Sequence, residues 1–164
     1  MKSFLAAVYH IVKKDFLVER RAKQVTSTAA VFGLLVVLAF AFSFVKTLEN
    51  PQVIGRGALW IAFIFGGTLG VTKTTAVEER NAALDGLLLA PVDRSAVYLG
   101  KVTSTSVFVF AVNLLTLGAT IVFLGYAPTV QTALSLVGIL AVAAVGFSAV
   151  GVVVSILTFR SGLD

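Results

Sequence analysis

Long stretches without any charged side chain are the feature that most limits how this chain can fold. No Asp, Glu, Lys or Arg occurs in residues 24–45, 57–72 or 102–159, and the last stretch is 58 residues long. A helix needs about 20 apolar residues to cross a bilayer, so that stretch has room for two crossings. With 58% hydrophobic and 13% charged residues, the composition excludes a water-soluble enzyme, a nucleic-acid-binding domain and a disordered tail. We therefore expect an all-α, polytopic membrane protein.

The expected order along the chain is one interfacial helix followed by four transmembrane helices, in a single domain over residues 1–164. Residues 1–25 combine apolar residues at helical spacing with basic ones, which is typical of an amphipathic helix at a membrane surface. The alternative is an amphipathic helix that packs on another domain. The four spans are expected at about 26–45, 57–75, 102–124 and 132–159, with polar turns at 46–56 and 125–128.

The basic residues predict the orientation of the chain. Eleven Lys and Arg residues lie in the N-terminal segment, the second loop and the C-terminal tail, against two in the first loop. Loops rich in Lys and Arg stay on the cytoplasmic side of the membrane. We therefore expect the N-terminus, the second loop and the C-terminus to be cytoplasmic. We interpret the net charge of +5 as charge that sets the orientation of the chain in the membrane. No nucleic acid is expected as a partner.

Small residues recur at one-turn spacing in two spans and predict faces where helices pack. Such spacing lets the backbone of another helix approach closely. The predicted packing residues are Ala62, Gly66 and Gly70 in the second span, and Gly138, Ala141, Gly146 and Ala149 in the fourth.

The third span carries a weak polar stripe formed by Asn113, Thr116 and Thr120. These side chains either line a substrate path or bond to their own backbone and to neighbouring helices. No span interior contains a charged residue, which argues against an ion-coupled transporter. Energy for transport would then come from a partner.

Residues 76–101 form the one sizeable polar segment between spans. Pro91 disfavours helix at the residue before it. Leu84, Leu87 and Leu88 share one face, so a short amphipathic helix is expected at about 78–90. Joined at both ends to membrane helices, it would transmit the push of a soluble partner to both of them. The alternative is a surface loop that lies on the bilayer and binds nothing.

The residues after Pro91 predict where the next helix begins. Asp93 or Ser95 is placed to cap that helix, which continues through Tyr98 into the third span.

The same segment carries a family resemblance. Glu79-Arg80, the stretch ALDGLLLAPVDR at 83–94 and the stretch YLGK at 98–101 resemble the signature of ABC-2-type permeases. Within them, the stretch is more similar to the haem exporter B (CcmB) family of cytochrome c maturation. Patterns at 13–16 and 19–21 and the Trp-containing stretch at 58–63 agree. That family usually has six spans where this chain shows four, and many relatives have Glu where this chain has Asp85.

The resemblance implies a permease subunit that exports or delivers haem and docks on a cytoplasmic ABC ATPase. It also implies further membrane subunits of the cytochrome c maturation complex and a second permease copy. The residues it marks as the ATPase-docking coupling helix are Glu78, Glu79, Arg80, Leu84, Asp85, Gly86, Leu87, Leu88, Pro91, Asp93 and Arg94. The alternatives are an ABC-2 permease for a lipid, polysaccharide or drug, and a membrane scaffold without a transport cycle.

Neither a catalytic nor a metal site is expected in this chain. Residues 66–74 lack the Gly directly before Lys that a Walker A motif needs. Glu78 and Glu79 are adjacent and do not face each other on a helix. The chain has no Cys and one His, and His10 is expected at the surface rather than as a haem ligand. Haem would be cargo of the complex, and ATP would bind the partner subunit.

Overall fold

The computed structural model describes residues 2–22, 24–44, 51–80 and 93–161. Four helices in these ranges are long and apolar enough to cross a membrane, so the prediction of an all-α, polytopic membrane protein is confirmed. The helices are α1 (Lys2–Ala22), α2 (Gln24–Ser43), α3 (Pro51–Arg80), α4 (Arg94–Leu124) and α5 (Val130–Ser161).

Helices α3, α4 and α5 are longer than a bilayer crossing requires. The 31 residues of α4 extend for about 46 Å, against about 30 Å of hydrocarbon core. The ends of these helices therefore project beyond the apolar part of the membrane.

The bounds of α3 differ from the expected loop and span. The first loop was expected to reach Arg56, but α3 already begins at Pro51. Proline is well suited to the first position of a helix, where its missing N–H has no intrahelical partner. At the other end α3 continues to Arg80, so residues 78–80 extend this helix and do not begin a separate one.

The first turns of α4 lie before the predicted span, as the predicted cap requires. The span was expected from about residue 102, and the helix that leads into it begins at Arg94, directly after Asp93. The extra turns contain Lys101, the last charged residue before the long uncharged stretch. This part of α4 connects the second loop directly to the membrane-spanning part.

Helix α4 lies at the centre of the bundle. It packs against α1, α2, α3 and α5, and α3 in turn packs against α2 and α5. The central position explains why α4 buries residues along its whole length. The main apolar core joins α3, α4, α5 and the turn after α4, and consists of Leu59, Phe63, Val109, Leu117, Tyr126, Leu140 and Ala144.

The small-residue face predicted on α3 lies inside the bundle. Ala62 is buried, and a Cβ at Gly66 would lie 3.5 Å from a methyl of Val112 and 3.9 Å from the carbonyl oxygen of Ala29. Gly66 thus sits where α3 meets α4 and α2. The side-chain surroundings of Gly70 lie outside what the structure describes.

The small-residue face predicted on α5 is only partly covered by the described helices. Gly138 and Gly146 have no atom within 4 Å of an added Cβ, and Ala141 and Ala149 are half-buried. The role of these four residues in helix packing stays a prediction.

Two glycines that were not predicted bring α3 and α5 together. A Cβ at Gly67 would lie 2.8 Å from the ring of Phe147, and one at Gly151 would lie 2.8 Å from a methyl of Val71. The two helices approach closely because these positions carry no side chain.

Candidate functional site

The predicted coupling helix lies largely outside the described residues. Glu78, Glu79 and Arg80 are the last residues of α3, and Asp93 and Arg94 open α4. The segment between them joins the ends of these two helices, which pack against each other. The residues that lie outside the described part of the chain are Leu84, Asp85, Gly86, Leu87, Leu88 and Pro91.

Asp93 caps α4, which confirms one of the two predicted caps. Its backbone is extended (φ −62°, ψ 130°), and its Oδ1 accepts hydrogen bonds from the N–H of Ser95 at 3.0 Å and from the Ser95 hydroxyl at 2.8 Å. The hydroxyl and the backbone N–H of Ser95 lower the pKa of this exposed carboxyl below its ordinary value. The beginning of α4 is therefore fixed directly after the predicted docking segment.

A buried ion pair lies two turns further along α4. The Nζ of Lys101 is 3.2 Å and 3.3 Å from the two carboxylate oxygens of Asp15 in α1, and the hydroxyl of Ser104 donates to the same carboxylate at 2.7 Å. Lys101 is 5% exposed and Asp15 is 7% exposed. We call Asp15, Lys101 and Ser104 the buried-charge cluster.

The cluster is stable in this position because the carboxylate of Asp15 has several partners. A buried charge costs several kcal/mol of solvation, which only close partners with good geometry offset. Lys14 is a third partner of the Asp15 carboxylate, after Lys101 and Ser104, and its Nζ lies 3.2 Å from Asp15 Oδ1. The arrangement fixes the middle of α1 to the second and third turns of α4.

The second buried acid of α1 binds a different helix. Glu19 is 9% exposed, and its Oε1 accepts a hydrogen bond from the N–H of Thr26 at 2.7 Å. Thr26 lies in the first turn of α2, where N–H groups lack intrahelical partners and negative charge is favourable. The two carboxylates of α1 thus bind α4 and α2 respectively.

Apolar contacts align α1 with α4 around the buried-charge cluster. A Cβ at Gly100 would lie only 2.9 Å from the Cβ of Ile11, so the glycine permits the close approach of the two helices. On the other side of the cluster the rings of Phe16 and Phe108 stack, with centroids 5.3 Å apart.

The outward surface of α1 keeps an amphipathic pattern. Leu5, Tyr9 and Phe16 share one edge at helical spacing and are exposed. Lys13 and Arg20 lie exposed beside that edge. A surface of this kind suits the boundary between lipid tails and headgroups, and the interfacial position of α1 stays a prediction.

The polar stripe of α4 lies inside the bundle. Thr116 donates to the carbonyl oxygen of Val112 at 2.9 Å, and Thr120 donates to that of Thr116 at 2.8 Å. These bonds to their own helix favour packing over a substrate path. Asn113 is buried, and its amide nitrogen has no hydrogen-bond partner in the described part of the chain.

Sequence reasoning missed the buried-charge cluster. It assigned Asp15 to the surface helix and Lys101 to the cytoplasmic loop, and 86 residues separate them. The sequence contained a signal for this ion pair in the positions of the two residues. Asp15 follows two lysines in an amphipathic segment, and Lys101 directly precedes the longest uncharged stretch.

Four membrane-crossing helices with an amphipathic helix fixed to their central member define a polytopic helical membrane protein. Residues 6–162 match the model of the CcmB protein family, and the chain belongs to that family. Membership implies the permease role in a haem-exporting ABC transporter of cytochrome c maturation, a system that includes an ATPase and other components. No curated protein and no solved structure matches the chain with significance.

Proposed function

We propose that this chain is the permease subunit that couples ATP hydrolysis by a cytoplasmic ATPase subunit to the delivery of haem, or to the release of a haem-loaded chaperone, in c-type cytochrome biogenesis. The observation that carries the proposal is the family match over residues 6–162. The chain supplies no nucleotide chemistry in this proposal. ATP binds the partner, haem is the cargo of the complex, and a second permease copy and further membrane subunits complete it.

The proposed docking site is the segment between α3 and α4, residues 78–94. It is supported by the position of its two ends. Arg80 ends α3 and Asp93 caps α4, and both helices are long enough to project from the membrane. A subunit bound there would act on two adjacent helices of the bundle at once.

The proposed orientation places this segment in the cytoplasm, at the inner membrane of a bacterium. It is supported by the excess of Lys and Arg in the N-terminal segment, the second loop and the C-terminal tail. Two contacts between neighbouring helix segments are compatible with this orientation. The first turns of α4 contact α1 through Lys101 and Asp15, and the hydroxyl of Tyr98 donates to the carbonyl oxygen of Ala149, in the second half of α5, at 3.1 Å.

Co-purification tests the docking proposal. Substitution of Leu87 and Leu88 by Asp places charges on the apolar face of the predicted coupling helix, and we expect the ATPase subunit to be lost from the purified complex. The matched control is Val130→Asp, since Val130 is 79% exposed and begins α5 at the other end of the bundle. Retention of the ATPase with unchanged activity in the Leu87/Leu88 variant would show that the coupling-helix assignment is wrong. Mass spectrometry of the co-purified proteins identifies the other subunits.

Single-cysteine labelling tests the orientation. The chain has no Cys, so Asp85→Cys and Ala127→Cys each create one thiol. Ala127 is exposed in the turn between α4 and α5. A membrane-impermeant thiol reagent added to intact cells should modify the cysteine at 127 and leave that at 85 unmodified until the cells are opened. The reverse pattern would overturn the proposed orientation.

A further inference from the structure

Helix α1 is attached to α4 much more firmly than to α2, its neighbour in the chain. The contact with α2 is small and includes one hydrogen bond from Thr26 to Glu19. The contact with α4 is extensive and contains both a buried ion pair and an interlocked apolar pair. The position of α1 therefore follows that of α4.

We propose that Asp15 is a positioning residue that makes α1 and the first turns of α4 move as one body when a partner displaces the segment before Asp93. This inference rests on the proposed function, since it takes the ATPase as the source of the displacement. The amphipathic helix α1, whose Asp15 lies 86 positions before Lys101 in the chain, is then a second moving part of the transporter, driven through the buried-charge cluster.

The route from the docking segment to α1 is short and rigid. Helix α4 is continuous from Arg94, and Lys101 lies eight residues after the cap Asp93, a distance of about 12 Å along the helix axis. A displacement applied at Asp93 reaches Lys101 without passing a loop. The ion pair with Asp15 then carries it to α1.

The polar character of the contact itself supports a positioning role. A buried ion pair often contributes less to stability than apolar side chains of the same volume would, so its stability alone does not explain it. It does define one relative position of the two helices, because the carboxylate of Asp15 must meet Lys101 and Ser104 together. The close approach of Ile11 to Gly100 opposes sliding along the same contact.

The first experiment removes the charge of Asp15. Asp15→Asn is introduced into the transporter complex, which is purified and reconstituted in proteoliposomes. We expect the complex to assemble and to hydrolyse ATP, while haem released per ATP falls by at least about fivefold, a typical size for the loss of coupling between two sites. A purely structural role of Asp15 would lower the amount of complex and leave the ratio of haem to ATP unchanged.

The second experiment replaces the ion pair by a covalent bond. The Cβ atoms at 11 and 100 would be about 2.9 Å apart, and disulfides need about 3.5–4.5 Å, so a small separation of the helices admits the bond in Ile11→Cys/Gly100→Cys. Since the chain has no other Cys, no other disulfide can form within it. Oxidation should leave haem release intact and should restore it in the Asp15→Asn background, whereas the reduced form should not. Ile11→Cys alone, treated with oxidant, is the matched control.

The outcomes separate this inference from the proposed function. If oxidation blocks haem release in a chain with Asp15 intact, α1 must leave α4 during the cycle and the inference is wrong. The inference is also wrong if Asp15→Asn releases haem at the unaltered ratio. If the unaltered chain binds no ATPase or releases no haem, the proposed function fails instead. Should Asp15→Asn fail to assemble, the disulfide in the unaltered background still decides the matter.

Discussion

The two ends of α4 are fixed by opposite kinds of interaction. At its beginning, Lys101 and Ser104 bind the carboxylate of Asp15, so charges and a hydroxyl define the contact. At its end, the chain reverses at Gly125 and the ring of Tyr126 lies against Gly55 of α3, where an added Cβ would be 2.9 Å from the ring. We call Gly55, Gly125 and Tyr126 the turn cluster.

Backbone conformation and close packing hold the turn cluster in place. Gly125 adopts the left-handed conformation (φ 65°, ψ 23°), which favours glycine because other residues clash there. Tyr126 is 1% exposed, and its hydroxyl has no hydrogen-bond partner in the described ranges. One end of α4 is therefore held mainly by close packing, whereas the end near the proposed docking segment combines close packing with a buried ion pair.

The largest expected effect comes from breaking the ion pair on one side only. Lys101→Met leaves the carboxylate of Asp15 buried without its main partner, and we expect a loss of about 3–5 kcal/mol in unfolding free energy. The double variant Asp15→Leu/Lys101→Met should recover most of that loss, because two apolar residues replace two charges. Denaturant titration in detergent measures both values. Additive losses in the double variant would mean that the two residues are not coupled.

The next effect concerns the turn cluster. Gly55→Val forces a side chain into the ring of Tyr126, and we expect a loss of about 1–3 kcal/mol from overpacking. Gly57→Val is the matched control, because it makes the same change in the same helix where no atom lies within 4 Å of the added Cβ. Equal losses in the two variants would show that the contact with Tyr126 does not constrain this end of α4.

Removal of one hydroxyl at each end of α4 should change the free energy of unfolding less, but differently at the two ends. Ser104→Ala deletes a donor to Asp15 and should lower the free energy of unfolding by about 1 kcal/mol. Tyr126→Phe deletes a buried hydroxyl without a partner in the described residues and should leave stability unchanged or raise it. The same titration measures both variants. A loss in Tyr126→Phe as large as that in Ser104→Ala would contradict the contrast between the two ends.

The smallest effect is the pH dependence of the cap on α4. Since hydrogen bonds from Ser95 lower the pKa of Asp93, the cap stabilises the helix above the ordinary carboxyl pKa and is lost as the pH falls through the lowered value. The protection factors of the first amides of α4, which correct deuterium exchange for its intrinsic rates, should then be lower at acid pH than at about pH 7. Asp93→Asn keeps a capping side chain that does not titrate, so exchange corrected for intrinsic rates should lose this pH dependence.

The spans and the cap could be predicted from sequence because their causes are local. Uncharged stretches long enough for a bilayer predicted four spans, and Asp93 two residues after Pro91 predicted a helix start. The early start of α3 also had a local signal in Pro51, which suits a first helical position as well as a turn. That residue alone does not decide between the two interpretations.

The buried-charge cluster could not be predicted because its cause is the packing of distant helices. Asp15 looks like one more charged residue of a surface helix until α1 lies against α4. The same holds for Gly67 and Gly151, which fit Phe147 and Val71 at contacts that only the assembled bundle defines. Gly138 and Gly146 show that a sequence pattern can also predict a contact that the described residues do not contain. No described atom lies within 4 Å of an added Cβ at either position.

The continuity of α4 has a geometric consequence. A rod about 46 Å long that pivots at the turn cluster and tilts by about 10° moves its other end sideways by about 8 Å. The same tilt hardly displaces Tyr126, which lies at the pivot. A pivot at the turn cluster would leave its close-packed contacts nearly in place, and the first turns of α4, with α1 attached, would travel farthest.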